Sequence, residues 1–396
     1  MAKHLDPRTL LKQISIPLLQ EFFQRQRMLQ DLPWDALKER RQVAPICDAW
    51  QRLPEARRRH VQAVLQDLNE LSDHRGMKVF AEEVTQTAPH RAWELIACRT
   101  RPNKAIWFYL NFPEQFEQAA LLARADALSS SRYAVRRTGL PKVAIDVTPQ
   151  LKRALETALS NHYWPNEMRG KHCHIEHHTR SGGEEYFFAY LDDWPDTRLV
   201  FTDDGDLCPT SDRYAFSVLF IYCPRDGSLE VVAKGGASVY HPLQQAFCRS
   251  VFDMSIEPAD PLRPEYRLQH VLDPTFTYPT DSTDGIARVQ LQRIRMVTND
   301  NTFPVMTFDL EFRRSVTRSQ WLEIIHHNLE SHDLRASQVA VQRATFQLIF
   351  LKIGLARART MSFTISVPST CNLKAKPDED REIGERCLSL WEMCHA

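Results

Sequence analysis

Residues 171–192 read KHCHIEHHTRSGGEEYFFAYLD, and the fold turns on how they are taken. Upstream, apolar residues recur every three or four positions; here the period falls to two. The runs 171–180 and 185–192 flank Ser181-Gly182-Gly183, so the stretch is predicted to be a β-hairpin. As a strand, the first run places His172, His174, Glu176 and His178 on one face, with Cys173, Ile175, His177 and Thr179 on the other.

Downstream, residues 215–222 and 229–233 flank Pro224-Arg225-Asp226-Gly227, and a helix carrying Leu243, Ala246, Phe247 and Val251 follows. Residues 287–297 and 303–312 flank Thr298-Asn299-Asp300-Asn301, again ahead of a helix, this one with Trp321, Leu322, Ile325 and Leu329. Two hairpin-then-helix units, 215–252 and 287–329, thus recur in order without matching identities. A last pair, 339–351 and 359–367, sits across Gly354, and the chain closes on a helix with Ile383, Cys387, Leu390, Trp391 and Cys394. Strand pairs apolar on one side predict antiparallel sheet with helices on one face, an α+β fold.

Upstream, Val61, Val64, Leu65, Leu68 and Leu71 form one helical stripe behind Pro54-Glu55, and Pro17 starts another helix with Leu18, Leu19, Phe22 and Phe23. Thr148-Pro149 is a cap and first residue for a helix bearing Leu151, Leu155 and Leu159. The polar, basic stretch 129–142 ends in Gly-Leu-Pro and marks a boundary. The expected organisation is a basic helical domain over 1–128, a basic linker over 129–147 and an antiparallel α+β domain over 148–396.

With 43% hydrophobic and 25% charged residues, the composition excludes a disordered chain. The longest apolar run, 214–223, is half of the roughly 20 residues a bilayer span needs, and charges occupy the N-terminus where a signal peptide is apolar. Nine cysteines cannot all pair within the chain, so reduced thiols and a cytoplasmic location are expected. Residues 1–143 hold 23 Lys/Arg against 16 Asp/Glu, a net of +7, which leaves −7 for the rest of a neutral chain.

Two imidazoles roughly 6.5–7 Å apart on one strand face can converge on one ion. His172, His174 and His178 with Glu176 would therefore suit zinc or manganese in a metal-dependent hydrolase or nuclease. Against this stand the absence of any H-E-x-x-H or C-x-x-C signature and the ease with which a polar strand tolerates histidine. The acidic runs Asp192-Asp193-Trp194-Pro195-Asp196 and Asp203-Asp204-Gly205-Asp206 read as turns, since the spacing of a calcium loop is missing. Lys234-Gly235-Gly236-Ala237-Ser238 lacks the order of a phosphate-binding loop. There is no nucleophile elbow, and the histidines beside Cys173 point away from it along a strand.

Arg132, Tyr133, Arg136, Arg137 and Lys142 interleave an aromatic with four cations; Arg357, Arg359 and Lys374 bracket the last strand pair. Cations on phosphate and a ring on a base are the chemistry of nucleic-acid contact. The leading expectation is a non-enzymatic binding or regulatory protein, without cofactor, contacting nucleic acid or a protein partner through these residues. The alternatives are the metal-dependent hydrolase and a scaffold subunit docking through an exposed C-terminal helix, with Ile383, Leu390 and Trp391 in solvent.

Overall fold

A computed structural model describes residues 6–37, 43–131, 133–202, 205–235, 237–258, 265–299, 304–312, 317–352 and 358–395. Arg132, Asp203, Asp204, Gly236, Asp300, Asn301, Gly354 and Arg357, named above, lie outside the described residues. The fold is α+β. Among the described residues, most helices fall in the first 167 positions, and two five-stranded antiparallel sheets follow. No helix among them is long and apolar enough to cross a membrane. Contacts gather the chain into two compact units: Met1–Arg136 with Leu140–Pro258, and Arg137–Gly139 with Ala259–Ala396.

Among the described residues the first unit opens with the α-helices α1 (Pro7–Leu11), α2 (Ile16–Arg25), α3 (Ala44–Gln51), α4 (Glu55–Leu71), α5 (His74–Thr87), α6 (Ala92–Ala97), α7 (Arg101–Asn111) and α8 (Pro113–Ser129). The stripe of α4 buries Val61, Leu65, Leu68 and Leu71, and α2 buries Leu19, Phe22 and Phe23 in the same core. Asp73 caps α5 by accepting from the amides of Arg75 (2.9 Å) and Gly76 (3.0 Å), relieving two N–H groups that a helix start leaves unpaired. Then come β1 (Ala134–Arg137), α9 (Pro149–Glu167), β2 (Cys173–Thr179), β3 (Glu185–Phe201), β4 (Leu207–Cys223), β5 (Ser228–Val232) and α10 (Ala237–Phe252). The cap of α9 forms as the sequence predicts, the Thr148 hydroxyl accepting from the Leu151 amide at 3.2 Å. The basic stretch after 129 supplies a strand of its own, β1.

The sheet runs β1-β5-β4-β3-β2 and carries helices on both faces rather than one. Phe187, Ala189 and Leu191 of β3 pack with Leu155 and Leu159 of α9 and Phe247 of α10. Tyr186 and Phe188, at the other parity, join the core of the N-terminal helices with Leu219 and Val232. The reason is in the run YFFAYL, which is apolar at both parities and cannot leave either face in water. The N-terminal helices and this sheet therefore form one unit.

The second unit contains β6 (Glu265–Tyr266), β7 (Ile286–Thr298), β8 (Thr307–Glu311), α11 (Arg318–Glu330), β9 (Val339–Phe350), β10 (Thr360–Ser366), β11 (Thr370–Cys371), α12 (Asp378–Leu390) and β12 (Cys394–His395). Its sheet order is β11-β10-β9-β7-β8. Trp321, Ile325 and Leu329 of α11 and Ile383 and Cys387 of α12 cover Leu291, Phe346 and Phe363. The C-terminal helix is thus part of this core. Ile383 and Trp391 are buried, and only Leu390 of the three residues expected at an exposed docking face meets solvent, because the stripe of α12 is needed to close the sheet.

On β7 and β8, Arg293 and Arg295 clamp Asp309 at 2.7 and 2.5 Å and hold its carboxyl down to about 2. Because the carboxylate is open to water, screening limits the pair's contribution, and Asp309→Asn should lose about 1 kcal/mol at pH 7. A folded-state pKa below the unfolded value makes this stabilisation complete above about pH 4 and absent once pH falls through about 2. Urea unfolding of both proteins at pH 7 and pH 2.5 checks it: the gap should narrow at the lower pH, and a constant gap contradicts the assignment.

Candidate interaction arm

The histidine strand alternates as its period requires. Cys173, Ile175 and His177 lie toward α9, with Ile175 buried; His174, Glu176 and His178 sit opposite Tyr190, Phe188 and Tyr186. The three expected histidine ligands nevertheless lie in separate surroundings. His172 precedes the strand, its amide bonded to Asp192 Oδ1 (2.7 Å). His174 is exposed, 3.9 Å from Glu156; His178 rests edge-on against Phe188. Among the described residues no three His, Cys, Asp or Glu side chains approach closely enough to hold a metal. The geometry gives a zinc or manganese centre no support. Cys173 is no better placed as a nucleophile, since burial pushes its thiol up to about 12.

The strand's other neighbours do structural work. Glu156 of α9 accepts from the Ile175 amide at 2.9 Å, closing the outer edge of the sheet. His177 Nε2 and the Thr179 hydroxyl meet the buried Glu185 carboxylate at 2.7 and 2.8 Å. Just past the strand, Arg180 reaches between α5 and α8 with its side chain only 8% exposed. It donates to Glu82 (2.7 Å), to both oxygens of Asp126 (2.9 and 2.7 Å) and to the Tyr186 hydroxyl (3.0 Å). No role for Arg180 follows from the sequence; a cation next to a Gly-Gly turn gives no hint of acids 54 and 98 residues upstream.

The cations expected at a nucleic-acid interface are largely engaged. Arg136 pairs with Asp226 (2.5 Å) and the Ser228 hydroxyl (3.1 Å), and Arg137 is buried. Tyr133 is half-buried, its carbonyl accepting from the Ala233 amide. Arg359 pairs with Asp380 and lies 4.5 Å over the Phe350 ring. Lys142 and Lys374 are exposed.

The arrangement most exposed to a partner is one the sequence reading took for turns. β3 and β4 continue past the sheet as a two-stranded ribbon pairing Pro195 with Arg213 through Phe201 with Leu207. Seven residues per strand make an arm roughly 23 Å long at about 3.3 Å per residue. Its root is locked by Arg169, which bridges Glu167 (2.6 Å) and Asp193 (3.0 Å) and lies between the rings of Phe216 (4.2 Å) and Trp194 (4.5 Å). Directly paired residues share a face, so Leu199 with Pro209 and Phe201 with Leu207 line one side. Leu199 is 67%, Phe201 74% and Leu207 53% exposed. The opposite side carries Asp196, Asp212 and Arg198, the last 3.9 Å over the Tyr214 ring.

No family model matches this chain, and no curated protein is similar to it.

Proposed function

We propose that this chain is a non-enzymatic binding subunit that docks on another polypeptide through the β3–β4 arm. The observation carrying this reading is the row Leu199, Phe201, Leu207 and Pro209, four apolar residues in water on one face of a rigidly rooted ribbon. A folded chain gains nothing from holding Leu and Phe in water at the end of a lever, so such a row marks an interaction site. Among the described residues no third strand pairs with the ribbon, so its two edges invite strand addition, and its aspartates blunt unspecific pairing. Nucleic acid is a poorer fit, since Arg136, Arg137 and Arg359 already have partners or burial and the arm is acidic.

The test is a photo-reactive phenylalanine analogue placed at position 201 of the full chain, in cells that make it. Position 212, on the other side of the ribbon, is the control. A protein adduct of discrete mass from 201 and none from 212 is the expected result. Equal or absent labelling at both positions removes the proposal.

A further inference from the structure

From the same arm we infer the partner: a second copy of this chain, engaged through the exposed face of α6. This rests on the protein-docking reading above and narrows it to one occupant.

The apolar row of the arm continues a face already adapted to helices. On β4, Leu207 and Pro209 alternate in step with Leu219 and Ile221, which pack against the N-terminal helical core. The inner half of that sheet face is covered by helices of its own chain; the outer half, on the arm, is bare. What fits it is another apolar helix face. α6 presents one, since Trp93 (67% exposed) and Ile96 (74%) stand three residues apart on the same side.

Charge selects the same pair. Residues 192–213 hold Asp192, Asp193, Asp196, Asp203, Asp204, Asp206 and Asp212 against Arg198 and Arg213, a net of −5. Residues 89–104 hold Arg91, Arg99, Arg101 and Lys104 against Glu94, a net of +3 with His90 neutral. Arg99 and Arg101 are exposed just beyond α6. An acidic arm ending in Leu and Phe therefore meets a basic helix bearing Trp and Ile, whereas two arms, each with the same net negative charge on the side behind the apolar row and at the tip, would repel as they approach. The contact joins two different surfaces, so it repeats head to tail and closes into a ring or runs on as a chain of copies.

Light scattering on the full-length protein decides it. The wild type should form species heavier than its 46.0 kDa as concentration rises, less readily at high salt. Phe201→Asp and Trp93→Asp, both at exposed positions, should each stay at 46.0 kDa with an unchanged circular dichroism spectrum. Mixed one to one, they should give a single species of two chains, because each supplies the surface that the other lacks. A mixture that stays monomeric overturns the inference, as does a wild type that is monomeric up to about 100 µM. The adduct formed at position 201 separates the two levels of the argument. A different polypeptide there leaves protein docking intact and removes the second copy; no adduct removes both.

Discussion

Arg180→Met should destabilise the first unit by about 3–5 kcal/mol, the loss expected when one partner of a buried ion cluster is removed. In the native unit burial works against the guanidinium's charge, but Asp126, Tyr186 and Glu82 more than offset it, and its pKa lies above the ordinary value. Methionine retains most of the volume and none of the charge, so Glu82 and Asp126 keep their places without a cation. Glu83 beside them is already pushed up by burial and by Glu82. The stranded carboxylates would then have folded-state pKa values above their unfolded ones, a penalty present at pH 7 and relieved as pH falls toward 4. Urea unfolding at pH 7 and pH 5 measures both parts. A loss below about 1 kcal/mol, or one independent of pH, would show that the cluster does not fasten the hairpin to the helices.

Trp391→Ala is the second large effect, about 3–5 kcal/mol from the second unit. The indole is fully buried against Tyr278, Phe346 and Phe363, with ring centroids 5.2, 5.1 and 6.1 Å away, and its Nε1–H donates to the Pro279 carbonyl at 2.8 Å. Removing it opens a cavity that α12 and three strands cannot collapse into and leaves a carbonyl without its donor. Hydrogen exchange is the appropriate readout, because β7, β9 and β10 should lose protection together. Trp391→Phe, which keeps most of the packing, should recover much of the loss. Unchanged protection in the alanine variant would contradict the central place given to this ring.

Much of this architecture is legible in the residues themselves. The Gly-Gly and Asp-Gly turns set two hairpins, Thr148-Pro149 starts α9, and the stripe of α4 names its own buried side. The rest is not legible there for physical reasons. A strand pair with one apolar face is the expectation for YFFAYL, although its two parities are equally apolar and call for cover on both. The runs 192–196 and 203–206 read as turns because aspartates beside Pro195 and Gly205 usually cap turns, and the residues between and after them carry no strand assignment. Proline is tolerated there because a two-stranded ribbon is all edge, and the alternation Thr197, Leu199, Phe201 against Asp196, Arg198, Val200 was the signal available. For the histidines, face assignment followed from spacing, but spacing cannot say where each ring turns for its partner.

The ladder of β3 and β4 slips between Asp192 and Pro195, where β3 spends three steps against two on β4. That single surplus residue acts as a parity switch. Before it, odd-numbered side chains of β3 look toward α9; after it, they look the other way. Loss of one residue at 193 or 194 would therefore take out the slip and still leave Leu199 opposite Pro209 and Phe201 opposite Leu207, whereas loss of one residue from a single strand within the ribbon would put the two halves of the apolar row on opposite sides. Descendants of this chain can therefore lengthen or trim the ribbon only by matched changes in both strands, while the slip tolerates the gain or loss of its single surplus residue.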